Sequence, residues 1–434
     1  MKPYKIIILI IILALLAGGV YAVYRQAAEY TDQLVIQQDT DPVGTTDGNK
    51  TADQTSEPSH TGNEQPSQTG SEEDSTSETT EQESSVTDTQ PPEPTTPPEP
   101  PAPELRFMAV GDIMLGRGVG ARLRKAGGYE KAFEKVSSYL NLGDVVFANL
   151  ETPLTDSNHG LDKERKIVLK AEPESVDALT GAGFNLISLS NNHILDYYEK
   201  GLFDTMELLD QNGIKHAGAG KNIEEARKPV IIEKNGLKTA LLAYTTFAEL
   251  TYAGKPYQNY AAGPEKSGLV RDRYETIRED ILKIRDQVDL VAVSMHWGVE
   301  DSFKVTAEQK ELAHKLIDDG ADMILGHHPH QYQGIEVYKG KPIFYSMGNF
   351  LFDQNDPENM ESFIIDMKYK GSELIEFTAL PVRIIDKSFV EIQTGSNAAA
   401  LLERQAELCI ELGTEPLTQD DKLIFKINEE GATQ

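Results

Sequence analysis

One cysteine stands in 434 residues, Cys409, so no intrachain disulfide can form and no cysteine near the start is open to lipid attachment. Cys409 falls in the helical pattern AAALLERQAELCIEL, where it is expected to act as a small buried hydrophobe. Basic residues are scarce as well. The chain has 41 Lys and Arg against 70 Asp and Glu, a formal charge of −29. Gripping nucleic-acid phosphates needs the opposite balance, so a general nucleic-acid binder is excluded. No repeat of solenoid length is present, which excludes a stacked-repeat architecture.

The charge is unevenly spread. Residues 1–25 carry Lys2, Lys5 and Arg25 and no acid, whereas residues 26–104 carry 18 acids and one base. Ile6 to Tyr24 are 19 residues without a charge, just enough for a helix to cross a hydrocarbon core. The flanking lysines predict a cytoplasmic N-terminus, with everything after Arg25 outside. Residues 1–25 therefore read as an uncleaved single-pass anchor in the cell membrane. A cleaved signal segment ending near Val20-Tyr21-Ala22 is the rival reading, and either one makes the main domain extracellular. Residues 26–104 are rich in Ser, Thr, Glu and Pro and close on PPEPTTPPEPPAPE. Such a stretch cannot bury enough apolar surface to offset chain entropy, so a disordered linker is expected.

Residues 105–434 carry alternating strand and helix patterns, an α/β domain large enough for its own core. Strands are predicted at 105–110, 144–149, 184–189, 289–295, 321–326, 361–369 and 373–383. Helices are predicted at 130–140, 174–182, 199–211 and 272–286. Hairpins are predicted around Asn235-Gly236 and over 334–347. Thr306 and Gln309 form a capping box for a helix running to Asp319.

Chemistry-bearing residues gather where these strands end, the usual ligand-binding edge of an open α/β sheet. Asp112 follows the first strand and Asn149 and Glu151 the second. Asn191, Asn192, His193 and Asp196 follow the third. His296 and Trp297 come next, then His327, His328 and His330. Each alone fits a turn, a cap or a packed imidazole. Together they form the carboxylate, amide and imidazole set that one or two divalent ions of Mn, Fe or Zn require. A histidine outside that set can protonate a leaving oxygen. Two phosphate-loop look-alikes, Gly116-x-Gly118-x-x-Ala121 and GAGKN at 218–222, lack the residues that complete either fingerprint.

GDIMLGR (111–117), NLE (149–151), SNNHILD (190–196), HWG (296–298), GHHPHQ (326–331) and GNF (348–350) occur in an order that resembles the poly-γ-glutamate capsule-synthesis, or CapA-type, family. The resemblance covers about residues 105–352. It implies a fold similar to the calcineurin-like metallophosphoesterases, a four-layer α/β/β/α sandwich. It also implies a role in making or exporting an anionic polymer, with poly-γ-glutamate and membrane-bound synthase subunits as partners.

Carried onto this chain, the resemblance makes Asp112 a ligand of the first metal and places Asn149 or Glu151 at the bridging position. Asn192 would ligate a second metal, and His296 would be a further ligand. Two of His327, His328 and His330 would complete the cage, the spacing favouring His328 and His330. His193 would be the general acid. Arg117 is the candidate cation for gripping a carboxylate or phosphate. Asn191, Asp196, Trp297, His327 and Asn349 are the expected substrate contacts. The pattern departs from the metallophosphoesterases at Met114, where they carry His, and from the capsule family at Tyr198, where Gly is common. Two other functions stay open: an extracellular metal-dependent phosphoesterase, and a non-catalytic polymer-binding scaffold. A local basic patch at Lys163, Arg165, Lys166 and Lys170 is a further candidate contact for the polymer.

Overall fold

The computed structural model describes residues 101–162, 167–252 and 255–427. The expected anchor, nearly all of the expected linker, and Lys163, Arg165 and Lys166 lie outside the described residues. Among the described residues no helix is long and apolar enough to cross a membrane.

The chain folds as a mixed α/β structure with several sheets. Strands β1 (Glu104–Ile113), β2 (Val145–Leu150), β3 (Leu186–Ser188) and β4 (Lys215–Ala217) run parallel in one sheet. The hairpin strands β5 (Val230–Lys234) and β6 (Leu237–Thr245) lead into a second sheet with β7 (Leu290–His296), β8 (Met323–His327), β9 (Ile335–Tyr338) and β10 (Lys341–Phe344). Its spatial order is β9-β10-β8-β7-β6-β5. The chain then returns to the first sheet through β11 (Asn349–Leu351), β12 (Glu361–Lys370), β13 (Glu373–Ile385), β14 (Phe389–Ile392), β15 (Leu417–Gln419) and β16 (Lys422–Lys426). That sheet is ordered β15-β16-β13-β12-β1-β2-β3-β4, with β11 beside β1 and β14 beside β13.

Strand alternation decides which residues face which core. Phe107, Ala109, Val145, Phe147 and Leu186 of the first sheet share one buried cluster with Leu241, Leu290, Ala292, Met323 and Leu325 of the second. Their neighbours Met108, Val110, Val146, Ala148 and Ile187 face away, onto helices α1 (Arg117–Ala126), α2 (Val176–Gly181) and α3 (Tyr198–Gln211). On the second sheet Leu242, Val291, Val293 and Ile324 pack on α4 (Tyr274–Ile284) and α5 (Ala307–Asp318). These strands are apolar on both faces, as buried parallel strands must be. Helix α6 (Ser396–Glu411) covers the shared cluster with Leu401, Leu402 and Cys409.

Most predicted elements form, including the Asn235-Gly236 hairpin and the capping box at Thr306 and Gln309. The helix predicted over 130–140 does not form as one piece. A 3-10 turn at Tyr129–Ala132 and a short helix at Ser137–Leu140 replace it. Phe133, between the two, packs against both Phe184 and Phe350, ring centroids 5.5 and 5.3 Å away. That tertiary contact prevails over the local helical period.

Candidate metal centre

The polar residues meet at the carboxyl ends of β1 and β2 and of β7 and β8. Alternation brings most of them there. Asn149 and Glu151 continue the row of Val145 and Phe147, and His296 continues that of Leu290 and Ala292. His327 follows Met323 and Leu325. All four residues therefore point to the side on which the two sheets share a core. Asp112 is out of step, since it shares parity with Met108 and Val110 on the other face. A bulge corrects it: three residues of β1 from Ala109 to Asp112 pass only two of β2, from Phe147 to Asn149. One inserted residue reverses the facing of the chain beyond it. Gly111 sits in the bulge because a Cβ there would lie 1.8 Å from the Gly348 carbonyl oxygen. That close approach lets the Asp112 N–H donate to Gly348 O at 2.9 Å.

The Asp112 carboxylate is fully buried and is the hub. Its Oδ1 accepts from Asn149 Nδ2 at 2.8 Å and lies 3.0 Å from His327 Nδ1. Its Oδ2 accepts from the His328 N–H at 3.2 Å and lies 3.8 Å from His330 Nδ1. Asn149 Nδ2 also reaches Glu151 Oε2 at 3.4 Å and His296 Nδ1 at 3.5 Å. His296 Nε2 is 2.9 Å from Asn192 Oδ1 and 3.9 Å from Glu151 Oε1. Asn191 braces the floor by donating to Asn149 Oδ1 and to the Leu150 carbonyl. His193 Nδ1 sits 2.7 Å from Asp196 Oδ2, which also accepts the Leu169 N–H at 2.7 Å.

Electrostatics favours the charged form of Asp112 and the neutral forms of His296 and His328. Burial opposes the Asp112 charge, yet contact with His327 and the nearby His330 hold its pKa below the usual carboxylate range. Burial, then the neighbouring His328, His327, His330 and His193, pushes His296 well down. Burial lowers His328 to about 4. A neutral His296 beside an ionised Asp112 is the pair of protonation states a cation needs from its ligands. Asp112, Glu151 and His296 each offer a ligand atom, and these atoms lie within 4.8 Å of one another. Among the described residues, His327 Nε2 and His328 Nδ1 are buried with no hydrogen-bond partner. Lone pairs in that position suit a metal better than an apolar core. The residues present thus fit a divalent ion.

The profile of the family described as "Bacterial capsule synthesis protein PGA_cap" matches residues 106–354. The chain belongs to this family. The span contains every candidate site residue named above. Among relatives of the PGA_cap family, "Capsule biosynthesis protein CapA" of Bacillus anthracis is 33% identical over 75% of this chain and 78% of its own. "PGA biosynthesis protein CapA" of Bacillus subtilis strain 168 is 31% identical over 74% and 79%. A "Probable polyglutamine synthesis accessory protein" of Mycobacterium tuberculosis is 30% identical over 63% of this chain and 83% of its own. This PGA_cap protein is therefore of the CapA type.

Other motif residues of this family member have separate places. Arg117 pairs with Asp353, Nη2 to Oδ1 at 2.8 Å, and the same carboxylate accepts the Gly118 N–H. Trp297 is buried on the outer face of the second sheet and donates Nε1–H to the Tyr345 carbonyl at 2.9 Å. Asn349 pairs with Asp112 across β11 and β1, and its Oδ1 meets His330 Nδ1 at 2.9 Å. The Met114 sulfur accepts the Gly116 N–H inside the turn and is buried among the α1 contacts.

Two neighbours escaped sequence reasoning. Phe247 lays its ring 4.0 Å from that of His328 and 5.8 Å from that of His296, and no motif marks it. Asp353, the Arg117 partner, follows GNF by three residues; its one signal was that nearness.

Proposed function

We propose that the protein is a membrane-anchored, extracytoplasmic component of poly-γ-glutamate, or related anionic wall-polymer, biosynthesis and export, working through a divalent ion held by Asp112, Glu151 and His296. The mutual approach of those three ligand atoms is the observation that carries the reading. The family, and relatives whose names cite capsule and PGA biosynthesis, support the polymer. Residues 1–25 would anchor the chain with its N-terminus in the cytoplasm, 26–104 would be the tether, and 105–434 the working domain. The finer fold would be the four-layer α/β/β/α sandwich of the metallophosphoesterases. Synthase subunits in the membrane would be the partners.

His327 and His328 would complete the ligand set with their unpartnered nitrogens, and Asn192 Oδ1 stands beside His296 Nε2. A divalent ion there supplies Lewis-acid polarisation of a carbonyl or phosphoryl oxygen. Asp196 holds Nδ1–H of His193, so His193 exchanges its working proton at Nε2. Asn191 and Asn149 fix the amide floor on which the carboxylates rest. With its sulfur tied into the turn, Met114 gives no donor to a second ion, which disfavours a general phosphoesterase.

The test is complementation of a deletion strain. Wild-type protein should restore polymer, and Asp112→Ala/His296→Ala at equal abundance should not. Full restoration by the double variant would remove metal chemistry from the account and favour a scaffold.

A further inference from the structure

Tyr198 is the first residue of α3, two positions beyond Asp196, and it holds a left-handed backbone with φ +54°. A bulky aromatic residue rarely adopts that conformation, because its Cβ crowds the preceding carbonyl. Strain of this kind persists where the surroundings impose it and use it. The ring is not spent on the core, for Tyr198 is 40% exposed. It stacks on the exposed ring of His159, centroids 5.0 Å apart and planes 19° from parallel.

The loop bearing His159 is fastened to the His193–Asp196 pair from both sides. Leu161 N–H donates to the Asp196 carbonyl and Leu169 N–H to its carboxylate. Lys170, next in the chain, places its ammonium 5.2 Å from the centre of the Tyr197 ring. Two of its three N–H groups serve the loop, through Ser157 O and Asn158 Oδ1. Among the described residues no carboxylate pairs with it. Lys170 also lines an open cleft of about 730 Å³. Two acids of that cleft are paired, Glu172 with Arg124 and Asp156 with Lys200, and among the described residues Lys170 and Glu174 have no ion-pair partner.

We infer that the Tyr198–His159 stack and Lys170 form a subsite that receives one unit of an anionic polyamide strand beside His193. The stacked rings present a flat π-face to a planar amide. The ammonium meets the carboxylate one unit carries. The choice of strand rests on the proposed function; the subsite itself rests on the strained, exposed stack.

The test is fluorescence anisotropy of a fluorescein-labelled γ-linked glutamate 12-mer titrated with the full chain in detergent, once in EDTA and once with Mn2+. Tyr198→Gly should weaken binding about five-fold or more, the worth of one stacked aromatic. Its melting temperature should hold or rise, because glycine relieves the left-handed strain. Tyr198→Phe keeps the ring and should bind like wild type. Lys170→Gln should weaken binding and flatten its salt dependence. Wild-type affinity in Tyr198→Gly, or no binding by wild type in either buffer, overturns the subsite. Tyr198-dependent binding by a protein that takes up no metal would instead sink the metal reading and leave the subsite standing.

Discussion

Replacing Asp112 by alanine removes the hub of the centre and should leave the fold standing. The carboxylate accepts two hydrogen bonds, from Asn149 Nδ2 and the His328 N–H, in a fully buried position. Hydrogen bonds to a charged group contribute about 1.5–3 kcal/mol each, so losing both costs about 3–6 kcal/mol. Relief from keeping a charge out of water offsets part of that, leaving a net loss of about 2–4 kcal/mol. A folded unit of roughly 330 residues unfolds with an entropy near 0.7 kcal/mol/K, so the melting temperature should fall by about 3–6 °C. Calorimetry in EDTA isolates this effect from any stabilisation by bound metal. A fall beyond about 15 °C would mean that Asp112 is a folding residue first, and the hub argument would be wrong.

Three further outcomes follow from the same geometry. Burial keeps His328 at about 4 and His296 well below the ordinary 6.5, so both are neutral in the fold and take up protons on unfolding. Their contribution to stability is complete above about pH 6.5 and is lost as pH falls towards 4. Melting curves of the metal-free protein should show that slope, and His328→Asn should flatten it; an unchanged slope in the variant refutes the assignment. Asp196→Asn removes the charged anchor of His193 Nδ1 and should cut polymer output in complemented cells by about tenfold or more at equal protein level. Cys409→Ser should shift melting by less than about 2 °C, since a hydroxyl can still accept the Ile335 N–H that the thiol accepts at 3.3 Å. Burial pushes that thiol up to about 12, so thiol reagents should label it only after unfolding.

Local signals in the chain reached as far as local physics does. Asn235 and Gly236, both at positive φ, announced their hairpin, and Thr306 with Gln309 announced a helix start that forms with both reciprocal bonds. Strand ends bearing Asp, Asn, Glu and His announced where the centre lies. What stayed hidden depends on partners distant in sequence. The three residues of β11 are too few to show a period, yet they set Asn349 opposite Asp112. The bulge that turns Asp112 inward exists only in the pairing of β1 with β2. Spacing alone favoured His328 and His330 as ligands. Alternation along β8 also brings the His327 side chain to 3.0 Å from Asp112, and the His328 backbone N–H donates to that carboxylate. Arg117 looked like a free cation because Asp353 lies 236 residues further on.

The central claim is a divalent ion held by Asp112, Glu151 and His296. Its most direct test is the metal content of the purified full chain by mass spectrometry, beside Asp112→Ala/His296→Ala. The account predicts near-stoichiometric Mn, Fe or Zn in the wild type and its disappearance from a double variant that remains folded. Folded wild-type protein that stays free of metal after reloading with excess ions would contradict it.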